Sequence, residues 1–149
     1  MKRTMTGITN PTEEYFKDGL WGWDGSQWRK LGLALWYYAT YSEDLSGTAT
    51  GSTYGVWSTT VPNGYIYIVN AASIRNATHA AERAEIRVYS DTDVNTHLGC
   101  LLSPALYQPV IFTGKIVLSP GWRIFMAITG CSVDDVIQAG VAGYKVKIT

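Results

Sequence analysis

Two cysteines and two histidines are all that this chain of 149 residues offers for thiol or soft-metal chemistry. Cys100 and Cys131 are too few for a disulfide framework, and both are expected as free thiols. Charge of one sign is missing too. Twelve basic residues cancel twelve acidic ones, and no basic stripe runs along the sequence, so neither nucleic acid nor an anionic membrane surface is expected as a partner. Long hydrophobic runs are absent: none approaches the roughly 18 residues that span a bilayer. The opening MKRTMTGITNPTEEYFKDG has no apolar signal-peptide core. The expected place of synthesis is a cytoplasm, with release by lysis.

A catalytic constellation is also lacking. His97 and Cys100 in HLGC could give two metal ligands, but a zinc site wants about four, and residues three apart on a regular strand face opposite sides. The closely spaced His-x-His of a metal-binding cupin is absent. DTDVN at 91–95 opens like a calcium loop, yet Thr96 and Leu102 stand where an EF-hand needs glycine and glutamate. A polar turn is the expectation there. Asp134-Asp135 reads as turn chemistry rather than a carboxylate pair. No nucleophile has a base and an orienting group that spacing places beside it. The sequence therefore names no catalytic residue, no cofactor-binding residue and no metal ligand, and an enzyme is not expected.

What is present is β-strand rhythm. In ERAEIRVYS, Ala84, Ile86 and Val88 alternate with Arg83, Glu85 and Arg87, the pattern of a strand with one face in a core and one in water. GYKVKIT repeats it, with Tyr144, Val146 and Ile148 expected inward. YIYIVNAASI, VIFTGKIVL and WRIFMAIT read as more fully buried strands. VPNG and SPGW carry the proline and glycine of tight turns, Pro62 and Pro120 being expected at the second turn position. Eight strands result, near 31–41, 54–61, 65–75, 82–90, 97–102, 109–118, 122–130 and 136–148. Their number and spacing predict an all-β, two-sheet antiparallel β-sandwich, an eight-stranded jelly roll, over 31–149, with residues 1–30 as an extended N-terminal arm.

Aromatic content is the other positive signal. Six Trp, ten Tyr and three Phe make 13% of the chain, more than one sandwich core needs. Trp57, Tyr67, Phe112, Trp122 and Tyr144 sit on predicted strands and are expected in the core. GLWGWDGSQWRKL at 19–31 packs Trp21, Trp23 and Trp28 into a short stretch. Ordering residues 13–30 costs more than burying their large apolar side chains returns, so this segment needs a surface to lie on. LWYYATY, with Trp36, Tyr37, Tyr38 and Tyr41, places consecutive rings on both faces of a strand, and one face then needs a cover beyond the core.

WDGSQWRKL is similar to the Tyr-Asp-Gly-Thr-x-Trp-Arg-x-Leu element near the start of minor virion proteins of tailed bacteriophages, with Trp23 in place of the usual tyrosine. VPNGYIYIVNAASIRNATHAAERAEIRVY and IVLSPGWRIFMAITGCSVDDVIQAGVAGYKV resemble later strands of the same proteins, so the likeness runs over residues 19–148. The resemblance implies a non-enzymatic virion structural protein, of the group that includes capsid-decoration proteins, head fibres and small tail proteins. Such proteins are often homotrimers with an arm that reaches a neighbour, assembled in the host cytoplasm. Capsid decoration comes first because the chain is short and lacks a fibrous region. Its partners would be copies of itself and a major capsid or tail protein. The residues expected to carry assembly contacts are Trp21, Trp23, Asp24, Gly25, Trp28, Arg29, Trp36 and Tyr38, with Asp24-Gly25 as the turn that presents the rings. The competing expectation is a carbohydrate-binding adhesin or fibre module, which would need two or three flat exposed rings for a host glycan.

Overall fold

The structure, a computed structural model, describes residues 21–23, 28–30, 38–90, 92 and 95–147. The chain divides into two compact units, Met1–Tyr37 and Tyr38–Thr149. In the first, β1 (Trp21–Trp23) pairs antiparallel with β2 (Trp28–Lys30), Trp23 opposite Trp28.

The second unit is a β-sandwich. Its strands are β3 (Tyr38–Asp44), β4 (Gly47–Thr48), β5 (Thr53–Trp57), β6 (Tyr65–Asn76), β7 (Arg83–Tyr89), β8 (Asn95–Leu102), β9 (Val110–Leu118), β10 (Arg123–Thr129) and β11 (Val136–Lys147). One sheet has the order β3-β11-β6-β9 with β4 also on β11; the other has β5-β10-β7-β8. The pairings are nested. β7 pairs β8, β6 pairs β9, β5 pairs β10 and β3 pairs β11, all antiparallel. A single long hairpin rolled over into two layers pairs in this way, and the strand order is the one a jelly roll requires. The predicted strands lie close to the observed ones. The first begins at Tyr38 among the described residues and runs to Asp44, and β4 is an addition the sequence reading did not contain.

Between the layers lie Val69, Ile74, Ile86, Leu118, Ile124, Met126, Ile128 and Ile137, all with no exposed surface. They alternate along their strands, and that period of two is what assigns each strand an inner face. Of the two expected proline turns, one has the expected chemistry and one is shifted by a residue. Trp122 N donates to Ser119 O at 3.0 Å, with Gly121 at φ 86°, so Pro120 and Gly121 occupy the central positions of a type II turn. In VPNG, Tyr65 N donates to Pro62 O. Pro62 therefore stands at the first turn position rather than the second.

Two irregularities shift the faces. Asn70 is an extra residue in β6 relative to β11, while on the other side Gly114 and Lys115 of β9 stand opposite it, and inward positions change from Tyr67 and Val69 to Ala72 and Ile74. Leu98 is a similar extra residue in β8, between Arg87↔His97 and Ile86↔Gly99.

Several face assignments differ from those expected. β11 contains no extra residue of its own, so Ile137, Ala139 and Val141 set its inward parity through Gly143. Tyr144 then falls on the outer face, 39% exposed, instead of in the core. Tyr41 goes the other way: it is buried and stacks on Tyr67 with ring centroids 4.5 Å apart. Its hydroxyl donates to Glu43 Oε1 at 2.9 Å, and burial pushes its pKa well above the ordinary tyrosine value. Tyr67 is core as expected, and Phe112 and Trp122 pack against the core while partly buried. β9 is less buried than predicted, since Ile111 is 57% and Val117 is 51% exposed.

Candidate functional site

Register brings together on the outer face of the five-stranded sheet residues that lie far apart in sequence. Val146 is beside Ile66; Tyr144 is beside Ile68, which pairs with Val117; Ala142 is beside Ala71; Gly140 is beside Ser73, which pairs with Ile111. Small side chains in the middle leave a shallow groove bounded by Glu43, Ile111 and Ala142. Arg75, Gln138, Ser46 and Pro109 extend it along the strands. At that end Arg75 Nε donates to Gln138 Oε1 at 2.7 Å, and its guanidinium stands 5.7 Å from the Tyr107 ring. Tyr107 holds a left-handed φ of 64°, a conformation few non-glycine residues adopt. The sheet's other side already faces the core, so these apolar side chains form a second, outward set.

The outer face of the four-stranded sheet is different. Trp57, 39% exposed rather than in the core, forms a cluster with Phe125 and Tyr89. The rings do not lie flat: interplanar angles are 70° for Trp57 with Tyr89 and 43° for Trp57 with Phe125. Arg123 lies 3.8 Å from the Trp57 centroid, over its face. A sugar needs that ring face free, so this geometry does not favour a glycan platform. Beside the cluster, Glu85 is buried between Arg83 and Arg87, with Arg87 Nη2 at 2.7 Å from Oε1. The Glu85 hydrogen bond raises the Arg87 pKa.

The extra residue Leu98 also reverses one expectation. Glu85 pairs with Cys100 and Arg87 with His97, so His97 and Cys100 share the outer face rather than pointing to opposite sides. Among the described residues no group of three or more His, Cys, Asp or Glu stands close enough to hold a metal ion. Cys100 is exposed and Cys131 buried, and both are unpaired.

Asp135 has no exposed surface and holds one end of the sandwich together. Its carboxylate accepts from Ser132 N at 2.9 Å, from Asn76 Nδ2 at 2.7 Å and from the His79 imidazole. It thereby ties the β10–β11 connection to the end of β6. Among the described residues no hydroxyl or thiol is hydrogen-bonded to that imidazole. Burial alone would raise the Asp135 pKa, but the Ser132, Asn76 and His79 contacts outweigh it and hold the carboxyl below its ordinary value. A depressed carboxylate stabilises the fold above its unfolded pKa, and that contribution is lost as pH falls through the folded value. Urea midpoints should therefore drop on acidification below the ordinary carboxylate range, and Asp135→Asn should flatten that dependence. An unchanged pH slope in the variant would contradict this role.

Of the residues expected to carry assembly contacts, Trp21, Trp23, Trp28 and Arg29 lie in the β1–β2 pair, and Tyr38 opens β3 opposite Val146. Asp24, Gly25 and Trp36 lie outside the described residues, as do Asp91 and Asp93 of the calcium-like stretch. Sequence reasoning missed Ile111, Val117 and Tyr144 as surface residues. The one signal available was that Ile111 and Val117 alternate with equally apolar neighbours, which marks a strand apolar on both faces; Tyr144, beside Lys145, gave no such signal.

No family model and no curated protein matches this chain. Among solved structures it is similar to the Gt strain structure of infectious bursal disease virus, at 10% identity and TM-score 0.27, over 96% of this chain and 48% of that one. The Gx strain structure is similar at 10% identity and TM-score 0.26, over 95% and 47%. A mutant VP2 protein of the same virus, from derived T=1 particles, gives 11% identity and TM-score 0.24 over 85% and 44%. The chain thus spans about half the length of the solved chains it matches, and likeness at this level carries no functional argument.

Proposed function

We propose that this chain is a non-enzymatic structural component of a tailed-bacteriophage particle, a capsid-decoration protein that assembles as a homotrimer. The observation that carries the reading is the outer face of the five-stranded sheet, where Ile111, Val117 and Tyr144 are exposed beside Ile66, Ile68 and Val146. A monomer whose sandwich core is already complete has no use for this second apolar face; an assembling subunit does. The resemblance of WDGSQWRKL to phage virion proteins supplies the context. In that context Trp21, Trp23, Trp28 and Arg29 make contact with the capsid or tail subunit, and Trp36 and Tyr38 extend the contact. Each copy would bury apolar surface against its neighbours and raise the barrier to their separation.

The competing class, a glycan-binding module, makes a different prediction that one pair of measurements separates. Light scattering on the intact chain should give a trimer mass that holds on dilution, while a glycan array and sugar quenching of tryptophan fluorescence should both be blank. A monomer that is retained by glycans would overturn the structural reading.

A further inference from the structure

The apolar outer face of the five-stranded sheet is not uniform in charge: it carries the anion Asp44 at one side and the cations Arg75 and Lys115, the latter exposed on β9, toward the other. Asp44 lies on the β3 edge, in the row that runs Asp44, Gly140, Ser73, Ile111. Arg75 lies two strands away on β6, in the next outward row, beside Gln138. Within one chain they do not meet. Among the described residues the Asp44 carboxylate accepts from Ser46, whose backbone N–H lies at 2.9 Å and whose hydrogen bonds lower its pKa. Arg75 spends Nε on Gln138 and leans toward Tyr107, and among the described residues no carboxylate pairs with its remaining N–H donors. A guanidinium has five donors in a fixed fork that suits a carboxylate.

We propose that the occupant of this face is a second copy of the same chain, with Asp44 of one copy paired to Arg75 of the next. The inference rests on the assembly reading above and names its contact. Three features support it together. The face is apolar in the middle, which a partner must cover. Its anion Asp44 and its cations Arg75 and Lys115 lie on opposite sides of that middle, so the face supplies both halves of the complement it needs. Another protein would have to bring both an anion and a cation in matching places, whereas a copy brings them by symmetry. Three copies with these faces turned toward a common axis set the β3 side of each against the β6–β9 side of its neighbour. The groove of small residues between Ala142 and Ile111 then takes apolar side chains from the adjoining copy.

Charge reversal tests this on the full chain, read as the subunit concentration at half-assembly in sedimentation velocity. Arg75→Asp and Asp44→Arg each place like charges together, and each should raise that concentration by about tenfold or more. The double reversal Arg75→Asp/Asp44→Arg should bring it back toward the wild-type value, and high salt should shrink all three differences. If the single reversals leave assembly unmoved, or the double reversal fails to restore it, the pairing is wrong while the assembly reading stands. A wild-type chain that stays monomeric at every concentration overturns both. A stable dimer in place of a trimer, with the rescue intact, keeps the pairing and replaces the three-fold axis by a two-fold one.

Discussion

Gly143→Ala should be among the most damaging single substitutions in the sandwich. A Cβ built at Gly143 would lie 2.0 Å from the Ile68 carbonyl oxygen and 2.9 Å from the Val69 Cα. Both neighbours are backbone of β6 and immediately precede Asn70, the residue that is extra relative to β11. No side-chain rotation relieves the clash; β11 and β6 must move apart at the centre of the five-stranded sheet. Overpacking of this kind costs about 1–3 kcal/mol and at times more, and a backbone obstacle puts Gly143→Ala at the upper end. For a chain of this size that is roughly 5–12 °C in melting temperature. Thermal unfolding followed by circular dichroism checks it. A variant melting within a degree or so of the wild type would mean that the strands are not held as closely as described.

The extra residue has a further consequence, which explains where the sequence misleads. The strands themselves are legible, because runs such as RAEIRVY, IVNAASI and IFMAIT combine β-branched residues with turn residues on either side. ERAEIRVYS shows its faces correctly for Ala84, Ile86 and Val88, all buried. Faces become unreadable where an extra residue resets parity, as at Asn70 and Leu98, because nothing in the residue types there announces a bulge. They are unreadable again where both faces of a strand are apolar. GYKVKIT suggests Tyr144 and Val146 as the core face simply because lysines alternate with them. Parity is instead set upstream by Ile137, Ala139 and Val141, and Lys145 and Lys147 fall on the inward parity at the strand's end. Trp57 misled for the same reason: alternation identifies two faces without saying which one is covered. The aromatic excess is what raised the expectation that more than one surface needs a cover. It did not indicate that Ile111, Val117 and Tyr144 carry one of those surfaces.

The second large effect is expected on assembly rather than on folding. Ile111 and Val117 project outward from β9, and neither belongs to the buried core cluster. Replacing both with lysine should leave the sandwich intact, since exposed substitutions away from special backbone positions usually change stability by only a few tenths of a kcal/mol. Within an assembled face the same change buries two unpaired ammonium groups, each costing several kcal/mol. No trimer of ordinary interface size tolerates that, so the chain should fold and fail to associate.

The most direct measurement of the central claim, that this face holds copies together, is the solution mass of the intact chain beside that of Ile111→Lys/Val117→Lys. Far-ultraviolet circular dichroism on the same samples establishes that both are folded. The expected result is a trimer for the wild type and a folded monomer for the variant. The same mass for both, at concentrations where the wild type is assembled, would show that the five-stranded face is not the contact; a wild-type monomer would contradict the assembly reading itself.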